Sequence, residues 1–135
     1  MTQLIAIGFW ADFTHSSWPD PKELVDQNID ARERQEVADY LARGIVHEVY
    51  RGWSYCRFCD EQNGSADLSD GTYLWPEGLA HYVREHDVWL PGQFTAHVAT
   101  RLADVRAAGI DEKWWTSQFS PENREKRENP ATSHH

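Results

Sequence analysis

The chain has 135 residues, 40% of them apolar, and a formal net charge of −9 from 22 acidic and 13 basic residues. A chain of this length suits one domain, which buries roughly two thirds of the surface its unfolded form exposes. Its charge disfavours nucleic acid and anionic membranes as partners, because a negative field repels phosphate at long range. No run approaches the roughly 20 apolar residues that a membrane helix needs. The apolar stretch before Trp10 lacks a basic lead, so no secretory signal is expected and a cytoplasmic location is.

In chain order, residues 4–10 (Leu-Ile-Ala-Ile-Gly-Phe-Trp) read as a short buried strand. Asp12, His15, Ser16, Ser17 and Trp18 follow in a loop. Groups this close in sequence rarely reach the geometry of a catalytic relay, so local turn bonding is the expected role of Asp12, His15 and the serines. Pro21 opens a short helix to about Val25, since proline in the first helical position loses no hydrogen bond. Asp30 is a suitable N-cap for a helix over 31–43, with Val37, Ala38, Tyr40 and Leu41 on one face and Gly44 as a left-handed C-cap. Residues 45–50, rich in β-branched and aromatic side chains, predict a strand carrying His47.

Residues 60–71 read as turn chemistry throughout, with Asn63-Gly64 and Asp70-Gly71 able to take positive φ. A short return strand is expected over 72–75, then a helix from Pro76 to about Glu85. Pro91 opens a second helix whose apolar stripe is Phe94, Val98, Leu102 and Val105, ending before Gly109. Trp114 and Trp115, two of seven tryptophans, are expected to fold back on the core. Beyond residue 120 the composition predicts a disordered polar tail, 121–135. Its basic stretch, Arg124 to Arg127, is interrupted by Glu125, and the final Ser133-His134-His135 is given no role because it matches the remnant of a purification tag.

The chemistry is concentrated in C-x2-C-x21-H-x4-H: Cys56, Cys59, His81 and His86. Two thiolates at this spacing face one cation from a tight turn, and two imidazoles complete a tetrahedral zinc set. Histidines five positions apart are rotated by about 140° on an ideal helix, so the helix must loosen near His86. The surplus length between the pairs is expected in the polar 60–71 connection. Three alternatives stay open: free thiols with surface histidines, a redox pair of the thioredoxin kind, and a fourth ligand other than His86, such as His97 or Asp87. A site closed by four protein ligands leaves no position for a reacting water, so the expected ion is one structural Zn2+ and no catalytic residue is assigned. Deaminase and H-x-x-E-H protease patterns do not fit: His47-Glu48 is adjacent, Tyr55 precedes Cys56, and the 81–86 stretch has one residue too many.

The segments Trp53-Ser-Tyr-Cys-Arg-Phe-Cys59 and Asp70-Gly-Thr-Tyr-Leu-Trp-Pro-Glu-Gly-Leu-Ala-His-Tyr82 resemble a group of small uncharacterised bacterial proteins. That resemblance covers roughly residues 45–100; it implies a bacterial cytosolic origin and carries no activity with it. The ligand types also resemble those of C2H2 zinc fingers, without their spacing or basic helix. The sequence therefore predicts an α+β fold: one small domain over 1–120, with a zinc-clamped ββα (C2H2 zinc-finger-like) substructure packed on two or three additional helices. The expected role is a protein-interaction or adaptor module whose partner is another protein. The alternatives are an enzyme with a site lined by Trp10, Trp18, His15 and His47, and a nucleic-acid-binding finger.

Overall fold

A computed structural model describes residues 2–128. Terminal His134 and His135 and the last part of the expected tail lie outside the described residues. The fold is α+β, with a four-stranded mixed sheet in the order β1-β4-β3-β2. Strand β1 (Ile5–Ala6) runs parallel to β4 (Tyr73–Pro76); β4 is antiparallel to β3 (Ala66–Ser69), and β3 to β2 (Ile45–Val49). The ladder between β2 and β3 slips at His47, between the Val46–Leu68 and Glu48–Asp67 pairs.

The helix predicted over 31–43 is α1 (Ala31–Ala42), and it buries Val37, Ala38 and Leu41. Asp30 accepts the Arg34 N–H through its backbone carbonyl at 3.0 Å, and its side chain makes no capping bond. Gly44 has a role different from the expected left-handed cap: its φ is not positive. A Cβ there would lie 2.8 Å from both Leu68 Cβ and Trp75 Cζ2. The glycine lets the chain leaving α1 pass against the sheet.

At that crossing Trp75, fully buried, donates its indole N–H to Leu41 O at 3.1 Å. Phe94 of α3 (Gly92–Ala107) packs edge-on against Trp75, Tyr73 and Tyr40, so α1, β4 and the start of α3 share one aromatic core. Helix α2 (Leu79–Glu85) adds Leu79 and Val83, both fully buried.

Three local expectations change. The stretch read as turns throughout contains β3, hidden because its inward residues Asp67 and Ser69 are polar. Each has a partner: Tyr50 Oη donates to Asp67 Oδ2 at 2.8 Å, and Ser69 Oγ donates to Tyr73 O at 2.7 Å. The Asp67 carboxylate, with burial adding to its effect, pushes the Tyr50 phenol up to about 12. Pro76 ends β4 instead of opening a helix, and α2 starts three residues later. Finally, Pro121–Glu128 form a helix, α5, where a disordered tail is expected. Proline at its first position and Ser120, whose Oγ accepts the Asn123 N–H at 3.4 Å, give it a helical start.

The chain divides into two compact units at Thr100/Arg101. In the first, the apolar stripe of α3 is realised at Phe94 and Val98. In the second, Val105 is exposed, as are Trp114 and Trp115 of α4 (Lys113–Ser117), so the expected return of these indoles to a core is not observed.

A polar knot fixes the start of β4. Asp70 accepts from Tyr40 Oη at 2.6 Å, from the Thr72 and Tyr73 N–H groups at 2.9 and 2.8 Å, and its Oδ2 pairs with His97 Nε2 at 2.8 Å. Burial pushes this carboxyl up, but the four donors outweigh it and hold it at about 2, below its ordinary 3.8. As pH falls the unfolded chain takes up the proton first, so this contribution is complete above about pH 4 and lost as pH falls through about 2. Asp70→Asn is expected to cost roughly 1.5–3 kcal/mol at neutral pH. It should also flatten the fall of the urea midpoint between about pH 4 and 2. Gly44→Ala, which drives a methyl into Leu68 and Trp75, is expected to lower stability by about 1–3 kcal/mol in the same urea titration.

Candidate metal centre

The β2–β3 ribbon continues past the sheet. Tyr50 N–H donates to Ser65 O at 2.7 Å, Ser54 N–H to Gly64 O at 2.9 Å, and Cys56 N–H to Glu61 O at 2.9 Å. Its tip is a tight knuckle carrying Cys56 and Cys59, closed by the Asp60 N–H to Cys56 O at 2.9 Å with Asp60 at φ +61°. Phe58 N–H donates to Cys56 Sγ at 3.4 Å.

Helix α2 brings the histidines. His81 lies in its first turn, and His86 is its C-cap at φ −125°, ψ 15°. That departure from helical geometry, followed by Asp87 at φ +58°, loosens the five-residue spacing as required. Gly78 permits the approach: a Cβ there would lie 2.3 Å from Asn63 Cγ, on the ribbon just beyond the knuckle. Asn63 Nδ2 donates to Gly78 O at 3.2 Å across the same contact.

Cys56, Cys59, His81 and His86 each offer a ligand atom, and these atoms lie within 4.8 Å of one another. Cys59 Sγ is 3.4 Å from His81 Nε2, which is 3.2 Å from His86 Nε2. A tetrahedral ion with bonds of about 2.3 Å to sulfur and about 2.05 Å to nitrogen has N–N and N–S edges of roughly 3.3 and 3.6 Å. The four residues lie close enough to hold a metal ion. Cys56 is buried, the two imidazoles are half-buried, and Cys59 is exposed.

A few contacts link the knuckle, α2 and α1 around these groups. Tyr82, buried in α2, accepts the Arg57 N–H from inside the knuckle at 2.9 Å through its hydroxyl. Burial pushes the Tyr82 phenol up. Phe58 stacks on the His86 ring at 4.7 Å and 9°, and meets Tyr82 edge-on. The end of α2 is tied by Arg34, buried on α1, whose Nη1 donates to Val83 O and Val88 O at 3.3 and 3.4 Å. Its Nη2 bonds Asp26 O, and its guanidinium lies 5.5 Å over the Trp89 ring.

The sequence alternatives fare unequally. His97 is engaged by Asp70, and Asp87 faces Arg34 Nε at 3.6 Å, so neither is in the cluster. The Glu61 N–H pulls the Cys59 thiol down, but desolvation and the adjoining Cys56 outweigh it and the net direction is upward. A redox cysteine of the thioredoxin kind needs the opposite. The return strand expected over 72–75 is β4, but β3, paired with β2 inside the stretch read as turns, adds a third strand, so the expected ββα order is not the one observed. The long spacer is therefore sheet and not the lengthened loop that its polar residues suggest. Asp12 accepts from Thr14 N–H, Thr14 Oγ1 and His15 N–H at 2.9, 2.9 and 2.7 Å, as expected of a local turn. His47 is exposed on β2. Sequence reasoning missed Arg34, Gly78 and Tyr82; the Trp-Pro-Glu-Gly-Leu-x-His-Tyr block, residues 75–82, contains the last two, and nothing in the sequence pointed to Arg34.

No helix among the described residues is long and apolar enough to cross a membrane. Compared with protein-family models, curated proteins and solved structures, the chain matches none.

Proposed function

We propose that Cys56, Cys59, His81 and His86 bind one structural Zn2+ and that the chain acts as a zinc-stabilised protein-interaction module. The convergence of two sulfur and two nitrogen ligands near tetrahedral edge lengths carries the metal reading. Borderline-soft zinc suits this donor set, and four protein ligands leave no open position for a reacting water. The ion would clamp the knuckle to α2, at a point where the protein's own bonds are few. The interaction role is supported by the exposed apolar run on β2 and the strand beyond it, where Ile45, Val46, Val49, Trp53 and Tyr55 are each more than half exposed. A soluble monomer rarely leaves so continuous an apolar surface without use for it.

Elemental analysis of protein prepared without chelator is expected to give one zinc per chain. Cys59→Ser and His86→Ala should lose the metal, and with it roughly 10 °C or more of thermal stability. His97→Ala and Asp87→Asn should retain it. Metal-free parent protein, or a His86→Ala variant that keeps its zinc and its melting temperature, would overturn the four-ligand site. Tyr82→Phe removes the acceptor for Arg57 N–H without touching a ligand. Competition with a chelating dye should show its zinc affinity reduced by about 10-fold or more.

A further inference from the structure

Two adjoining cavities open beside the knuckle, of about 210 and 220 Å3. They share the walls Gly8, Phe9, Trp10 and Trp18; the first adds Tyr55 and Tyr82, the second Pro19 and Pro91. Their lining is rich in aromatic residues. Phe9 and Trp18 meet at 5.5 Å, His15 stacks on Trp18 at 3.7 Å, and Trp10 meets Tyr82 edge-on at 5.4 Å. Trp10 lines both cavities and is 9% exposed, yet among the described residues no acceptor reaches its indole Nε1. A buried donor left without a partner is costly, and native structures that retain one commonly use it at a binding site.

We propose that this aromatic cleft binds a proline-rich segment of a partner protein in the polyproline II conformation, with basic residues flanking the prolines. The inference rests on the protein-interaction reading above and names the partner's chemistry. Polyproline II segments present flat apolar rings that stack on aromatic walls. Two small adjoining cavities sharing an aromatic wall suit successive ring groups. An added β-strand fits poorly here, because β1 is two residues long and Gly8, at φ +73°, turns the chain away from it. Charge selects the flanks. Asp12 stands at the rim, its carboxyl held below the ordinary range by Thr14 and His15, and the whole chain carries −9. Arg57, the cation at the same rim, donates to Ala11 O at 2.9 Å and keeps its charge, so the negative excess that favours basic flanks is that of the whole chain.

The test is a titration of 15N-labelled, zinc-loaded protein with a capped peptide of consecutive prolines bearing one arginine at each end. The Trp10 indole signal, assigned by its loss in Trp10→Phe, is expected to move saturably. Trp18→Ala, which leaves the core and the metal ligands in place, should weaken binding about tenfold or more. A capped glycine–serine peptide with the same two arginines should bind at least about tenfold more weakly. Replacing both arginines with glutamates should weaken binding further, and most at low salt. A Trp10 signal unmoved at millimolar peptide overturns the proposal. So does equal binding of the glycine–serine control, or parental affinity in a folded Trp18→Ala. If the parent protein binds no zinc, the metal reading fails on that measurement alone, and the peptide titration of the same protein still decides the cleft.

Discussion

The guanidinium of Arg34 governs how the rest of this fold meets the Cys56, Cys59, His81 and His86 cluster. A cation buried on α1 is tolerable only where carbonyls and an aromatic face replace water, and Val83, Val88, Asp26 and Trp89 supply them. Three of those partners come from the end of α2 and the chain just after it. The carbonyls left unpaired where a helix stops are thereby satisfied by a side chain from a neighbouring helix. His86 sits at that stop. The position of one ligand therefore depends on a charge placed 52 residues earlier in the sequence.

The other half of the cluster depends on the sheet. The β2–β3 ribbon projects the knuckle beyond the last paired strand residues, and Tyr82 and Gly78 hold it against α2 through one hydroxyl and one close backbone approach. These contacts accompany the approach of the sulfur and nitrogen atoms to within 4.8 Å of one another.

Much of this was legible in the sequence where local chemistry decides structure. The α1 segment, the strand before the cysteines, the helix after Pro91 and the C-x2-C with its two histidines follow from periodicity, proline placement and ligand spacing. What escaped was decided by distant partners. Asp67 and Ser69 disguise β3 as a turn: the partner of Asp67, Tyr50, lies 17 residues away, and Ser69 reaches Tyr73 O only because β3 and β4 pair across the turn. Gly44 looks like a helix cap by position, but its use lies in the closeness of Leu68 and Trp75. The division at Thr100 was equally hidden, since the periodicity of α3 runs on past the last residue it buries.

The slip at His47 has a consequence for the molecule in a crowded solution. Strand β2 is the outer edge of the sheet, and its aliphatic side chains would invite the same strand of another copy to pair with it. Such pairing grows into fibres only if the hydrogen-bonding groups stay in phase along the strand. At His47 one extra residue throws them out of phase, so a docking strand would find matched partners for only a short stretch before meeting a twist. The same surface can thus remain apolar enough to meet a partner while offering no template on which identical chains could stack.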